Sequence, residues 1–220
     1  MVPDTAGPYI KDRSPARGRA RKLFPWALLA ALMRVYVVDN GGQWTHREWR
    51  VLKYLGADTQ IVPNDTPASQ FKDVDGLVLS GGAPRVGIDP SKMGRNGEYL
   101  DEIDAPILGI CAGHQFMAKH FGGDAAPSSV PEFGKAVLTV KQPDILFEGL
   151  PPSFEVWESH NDEVSALPND FVSLASSPNC AVQAMRNTKR PLFGLQFHPE
   201  VENTQHGYDI FRNFLKVCER

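Results

Sequence analysis

Cysteine is scarce in this chain: three occur in 220 residues, Cys111, Cys180 and Cys218, far apart and with no CxxC pair. An odd, scattered set excludes a disulfide framework and the paired spacing of a structural zinc site. It fits a reducing compartment, so a cytoplasmic location and no metal are expected. A surplus of one charge is missing too. The formal net charge is −3 and the pI about 6.1, so the basic footprint of a nucleic-acid binder is absent. The apolar run "LFPWALLAAL", residues 23–32, is too short to cross a bilayer, and no membrane partner is expected. There is no internal repeat and no long linker. With 42% hydrophobic residues, the chain suits one globular domain with a sizeable core.

Residues 1–32 differ from the rest. The basic "KDRSPARGRARK" leading into that apolar run has the outline of a signal peptide. Met33, however, stands directly before "RVYVVDNGGQ", which reads as the first core strand, and no later feature calls for export. Residues 1–32 are therefore read as an extension, disordered or a miscalled start, with a targeting segment as the alternative. The domain is taken to run from 33 to 220.

What is present is a rhythm of short apolar strands and amphipathic segments. "VYVVDN", "DTQIVP", "GLVLSGG" and "APILGIC" read as strands. "QWTHREWRVLKYLG" reads as a helix carrying Trp44, Trp49, Leu52 and Leu55, with Gly56 as its stop. Strands separated by helices predict an α/β fold, a mainly parallel central sheet flanked by helices. From 134 to 197 the strands "GKAVLTV", "FEVWESH", "FVSLASS", "CAVQAMR" and "LFGLQFH" leave little room for helices, which predicts an additional antiparallel strand region. "HGYDIFRNFLKVCER" closes the chain as a helix with Ile210, Phe211, Phe214 and Cys218 on one face.

In "GICAGHQ", Cys111 has Gly109 two residues before it and Gly113 two after it, the spacing of a nucleophile elbow. Glycines there let a tight strand-to-helix turn form without Cβ clashes. "ILGI" supplies the strand and "AGHQFMAKHFGG" the helix, ended by Gly122. A sulfur at a helix N-terminus is favoured as thiolate, and the first free N–H, that of Ala112, could stabilise an oxyanion. The elbow alone leaves a second reading open, a small buried core cysteine. A partner base decides between them.

Of the six histidines, His198 in "LFGLQFHPEV" is placed for that role. Pro199 keeps the segment extended, so His198 and Glu200 point the same way, as base and orienter, or as a strand-end ion pair. His114 and His120 on the elbow helix read as packing or surface residues. "LVLSGGAPRVG" is a poor nucleotide loop, lacking both the P-loop and dinucleotide endings. Gly82 could instead donate a second N–H towards Cys111 across the C-terminal ends of neighbouring strands, or the loop could be an ordinary turn.

On "GICAGHQ", "QFHPEV" and "SGGAP", found between about Met33 and the C-terminus, the chain resembles a class I (triad-type) glutamine amidotransferase, a flavodoxin-like fold. "VVDNGGQWTHREWRVLKYLG", "WESHNDEV" and "EVENTQHGYDIFRNF" are most similar to the branch that forms the stand-alone glutaminase subunit of GMP synthase. Glutaminases of anthranilate or aminodeoxychorismate synthase usually carry an R-Y-H-S type segment where this chain has "WESHNDEV". The resemblance implies that Cys111 attacks the side-chain amide of glutamine, forming a thioester, with His198 as acid and base and Glu200 as its orienter. It implies that the N–H groups of Gly82 and Ala112 hold the oxyanion, and that Gln115, His160, Asn161 and Asp162 line the glutamine pocket. His160 and Asp162 would also communicate with a synthetase. That partner, a separate ATP-pyrophosphatase subunit in a heterodimer, would use ATP and Mg to aminate XMP, and this chain would bind no cofactor. The alternatives are another acceptor or a catalytically idle regulatory subunit. Ala83 before Pro84 departs from relatives that place proline directly after the second glycine.

Overall fold

The structure, a computed structural model, describes residues 33–219. The expectations about residues 1–32 lie outside the described residues. The strands are β1 (Val35–Asp39), β2 (Ile61–Pro63), β3 (Gly76–Leu79), β4 (Ile107–Ile110), β5 (Asp124–Val140), β6 (Ser153–Ala166), β7 (Phe171–Ser176), β8 (Ala184–Asn187) and β9 (Leu192–Leu195). The helices are α1 (Thr45–Leu55), α2 (Asn96–Glu102), α3 (Ala112–His120) and α4 (Gly207–Cys218). None of these helices is long and apolar enough to cross a membrane.

All the strands join one nine-stranded sheet, ordered β2-β1-β3-β4-β9-β8-β7-β5-β6. The first five in that order are parallel, and from β9 outward every pairing is antiparallel. The parallel half has the doubly wound order in which β1 and β3 leave in opposite directions, opening a crevice at the strand C-termini. The α/β fold with an antiparallel region is therefore found as expected, with the antiparallel strands continuing the central sheet.

Period-two alternation splits the core. Val35, Val37, Val78 and Leu108 pack with Leu52 and Leu55 of α1 and Ile210, Phe211 and Phe214 of α4. Val38, Leu77, Leu79 and Ile107 pack on the opposite face with Tyr99 of α2 and Met117 of α3. Near-continuous apolar strands such as "GLVL" and "ILGI" are what such double coverage requires. Both faces of each are fully buried, at roughly 25 cal/mol per Å² of apolar surface.

Sequence and structure part in three places. α1 begins at Thr45, so Trp44 sits before its first turn and off its core face. α2 carries no sequence signal of its own: its "NGEYLDE" is seven residues long, too short for the apolar periodicity to register. β5 starts ten residues before the expected Gly134, because its outer edge is exposed and polar and lacks strand-like alternation.

Candidate active site

The sheet brings four strand ends together. Cys111 follows β4 with φ 48° and ψ −103°, a left-handed backbone that L side chains rarely adopt and that costs about 1–3 kcal/mol. Its N–H donates to Leu195 O at 2.7 Å and its carbonyl accepts from Gln115 N–H at 3.0 Å, which fixes the turn between β9 and α3. The flanking glycines are there for space. A Cβ on Gly109 would stand 2.7 Å from the Gly113 carbonyl, and one on Gly113 would collide with the Leu79 carbonyl. The elbow can form only where strand, helix and the neighbouring β3 touch through backbone alone.

Beside β3 the loop Ser80–Gly82 is tied to the end of β1. Asn40 N–H donates to Ser80 Oγ and Asn40 Nδ2 to Ser80 O, both at 3.0 Å. A Cβ on Gly82 would meet Pro84 Cδ at 2.9 Å and Asn40 Cβ at 3.1 Å, and one on Gly81 would meet His198 Cε1 at 3.1 Å. Ala83 before Pro84 thus leaves Gly82 in the wall of the cavity.

His198 follows β9. Its N–H donates to Trp157 O at 3.0 Å and its carbonyl accepts from Thr204 Oγ1 at 2.7 Å, while Thr204 Oγ1 itself accepts Trp157 N–H at 2.9 Å. The ring is therefore positioned from β6. Its Nδ1 lies 2.7 Å from Glu200 Oε1, and Trp44 stands edge-on to it with ring centroids 4.4 Å apart. Burial opposes its charge, yet Glu200 and the Cys111 side chain, which hydrogen-bonds the ring, outweigh burial and raise its pKa well above the ordinary histidine value. The carboxylate fixes one tautomer and supports an imidazolium whose other nitrogen faces sulfur.

These residues line a cavity of about 290 Å³ together with Gly41 to Thr45, Glu48, Gly81 to Ala83 and Ser159. That volume is sized for an amino-acid side chain. Cys111, His198, Glu200 and Gly82 are brought to it, and Ala112 follows Cys111 as the first residue of α3, whose first N–H groups have no intrahelical acceptor.

The other expected pocket residues are placed elsewhere. Gln115 is buried beneath the elbow, its Nε2 donating to Asp162 O at 2.6 Å and Gln196 Oε1 at 3.1 Å. Asn161 points to solvent and the Asp162 carboxylate is clamped by Arg85, Nε to Oδ2 at 2.8 Å, on the far side of the glycine loop. His160 faces away from the cavity between Glu132 Oε2 at 3.2 Å and Glu158 Oε2 at 3.4 Å. Strand alternation explains the displacement. On β6 it is Ser159 that turns towards Cys111, with its carbonyl 3.9 Å from Sγ.

Glu132, His160 and Cys180 are a second Cys/His/Glu group, with ligand-type atoms within 4.8 Å of one another. Their donors are spent internally. Glu132 accepts from Ser177 Oγ at 2.8 Å and Gln183 Nε2 at 2.9 Å, and His160 Nδ1 donates to Asp162 O at 3.1 Å. Burial works against the charge on His160, but Glu132 and Glu158 overcome it and push the pKa up to about 10, so the ring is held as an imidazolium between the two carboxylates. Burial drives the Cys180 thiol pKa up and keeps it protonated. His114, read as packing or surface, is fully buried, and burial lowers its pKa to about 3. Glu48, Trp44 and Ser159 are functional-site neighbours to which the sequence reading assigned no role. Gln196, whose Nε2 lies 3.7 Å from Cys111 Sγ, could have been found as the residue two before His198 on the same side of the strand.

A cysteine on a strained elbow, facing a carboxylate-held histidine across the C-terminal ends of a doubly wound sheet, defines a cysteine hydrolase site of the amidotransferase type. The family model for glutamine amidotransferase class-I matches residues 36–218, and the chain belongs to that family. Among its relatives, a glutamine-hydrolyzing GMP synthase subunit from Thermoplasma acidophilum is 54% identical over 85% of this chain and 94% of its own length. The protein of the same description from Archaeoglobus fulgidus is 45% identical, covering 86% and 100%. A crystal structure of a GMP synthase subunit protein from T. acidophilum superposes with a TM-score of 0.81 at 54% identity, covering 84% of this chain and 94% of that one.

Proposed function

We propose that this chain is the glutamine-hydrolysing subunit of a two-chain GMP synthase. The observation that carries this reading is the Cys111–His198–Glu200 line on the wall of a side-chain-sized cavity. Relatives described as glutamine-hydrolyzing subunits of that enzyme support the acceptor. Cys111 Sγ attacks the amide carbon of glutamine with its proton already held on His198, and the tetrahedral oxyanion is held by the N–H groups of Gly82 and Ala112. The C–N bond breaks as His198 returns the proton to the leaving ammonia, which leaves a γ-glutamyl thioester. His198 then takes a proton from water, the hydroxide adds to the thioester carbon, and the C–S bond breaks to give glutamate and the free thiol. Glu200 accepts the Nδ1–H throughout and offsets the positive charge on the ring.

Ammonia passes to a separate synthetase of ATP-pyrophosphatase type that aminates XMP, and ATP and Mg are used there. The only string here like that enzyme's nucleotide loop, "SGGAPR", gives Gly81, Gly82 and Ala83 to the wall of the cavity beside Cys111. The chain itself takes no cofactor and works in the cytoplasm. The test is to mix the chain with such a synthetase and supply XMP, ATP and either glutamine or ammonium. Cys111→Ala removes GMP formation from glutamine and spares that from ammonium. Glutamine-dependent GMP formation by that variant at the wild-type rate would refute the reading.

A further inference from the structure

Glu48 lines the same cavity and has no part in the relay just described. It stands in the first turn of α1, 1% exposed, where an amphipathic helix ordinarily turns a glutamate outward. Its Oε1 accepts the N–H of Gly81 at 3.4 Å, and its Oε2 has no partner in the protein. Glu200 is in the matching position. Its Oε1 is taken by His198 Nδ1, and its buried Oε2 is likewise without a partner. A buried carboxylate oxygen without a donor is costly, and two carboxyls on one small cavity do not both stay ionised. The groups facing Glu48 are Asp39 at the end of β1, Gly81 of the glycine loop, and His198 and Glu200 after β9. Burial first and Glu200 second raise its pKa well above the carboxylate range, Asp39 adds to this, and His198 and the Gly81 N–H oppose it.

We propose that Glu48 is a positioning residue of the His198–Glu200 pair: as a neutral acid it donates from Oε2 to the free oxygen of Glu200, directly or through one water, while its Oε1 holds the Gly81 N–H. One side chain then ties the glycine loop, which carries the Gly82 N–H, to the acid that orients the base. Ionisation of Glu48 breaks the link and sets a second carboxylate beside His198, which holds the ring as imidazolium to higher pH. The inference rests on His198 and Glu200 acting as base and orienter.

The experiment is an NMR titration of His198 in the full chain, assigned by its absence from H198A, for wild type and E48Q. Glutamine keeps an acceptor for Gly81 and a donor for Glu200 but cannot ionise. The His198 midpoint should stay within about 0.3 pH unit of wild type in E48Q, which keeps the neutral donor, and rise by about half a unit or more in E48L, titrated alongside, because Glu200 loses that donor and pairs more strongly with the ring. An E48L midpoint within about a tenth of a unit of wild type overturns the proposal. With the synthetase present, kcat on glutamine should fall by about threefold in E48Q and by about thirtyfold in E48L, KM moving by less than about twofold. Equal losses in the two variants also overturn it. Should wild type hydrolyse no glutamine with any synthetase, the functional reading fails, while the His198 midpoints still decide the role of Glu48.

Discussion

Cys111, His198 and Glu200 at the parallel end of the sheet, and Cys180, His160 and Glu132 in its antiparallel half, are the same three residue types, and all six are buried. The first group lines the cavity of about 290 Å³. In the first, Glu200 spends a single oxygen on His198 and the ring's other side faces a sulfur held on a strained turn. In the second, Glu132 accepts from His160, Ser177 and Gln183, and His160 is shared with Glu158. Burial raises the pKa of Glu158, whereas Glu132, despite burial, is lowered by His160 and Ser177, so the ion pair is His160–Glu132. Glu200 is left with an unpaired oxygen beside open space, whereas both oxygens of Glu132 and both ring nitrogens of His160 are engaged by neighbouring side chains and backbone. Chemistry is possible where polar groups are held but incompletely satisfied; where they are satisfied, they cross-link β5, β6 and the segment before β8.

The largest expected contrast lies between the two cysteines. Cys111→Ala should lower glutamine-dependent turnover by about 10³-fold or more, whereas Cys180→Ala should leave it within about threefold and lower stability by about 1–2 kcal/mol. Steady-state ammonia release and urea melts measure both. Equal activity losses would erase the distinction.

The acids come next. Glu200→Ala should reduce kcat by about 10²-fold or more, because the base loses its orienter, and should also lower the melt, because a buried imidazolium loses its carboxylate. Glu132→Ala leaves a buried imidazolium short of its partner and should cost about 3–5 kcal/mol of stability. A Glu132→Ala protein as stable as wild type would show the second group to be dispensable.

The same contrast extends to pH. His160 is raised in the folded state from 6.5 to about 10, so its contribution is complete below 6.5 and is lost progressively as pH rises towards about 10. Denaturant midpoints should therefore decline over that window in wild type and decline less in His160→Gln. A parallel decline in both would assign the loss to other groups.

The smallest effect concerns backbone strain. Cys111→Gly should be more stable than Cys111→Ala by about 1 kcal/mol, because φ 48° suits glycine, although both variants are inactive. Cys180, on ordinary backbone, should show the opposite order.

Much of this site was legible because its motifs are local. The Gly109–Cys111–Gly113 spacing answers a steric demand made within a few residues, and His198 and Glu200 are adjacent on one side of an extended segment. Ile210, Phe211, Phe214 and Cys218 fall on the buried face of α4 as their spacing predicts. Glu48 was illegible for the converse reason. Its helix is otherwise an ordinary amphipathic one, and only the approach of Gly81, thirty-three residues away, turns that position inward. Trp44 read as core by periodicity, but the helix begins one residue later and leaves it against His198. His160 and Asp162 carried roles by resemblance. Their side chains point to faces of β6 that the pairing with β5 determines, and there they meet Glu132 and Arg85.

The sequence by itself determined the class of fold, the elbow, the base and its orienter, since each follows from interactions among near neighbours in the chain. The tertiary structure alone decided which of two Cys/His/Glu groups opens on a cavity and which carboxyl stands beside the catalytic pair. Those outcomes depend on β1, β3, β4 and β9 ending at one edge and on β5 and β6 closing over the other group. Such long-range register is set by packing that no short stretch of the chain encodes.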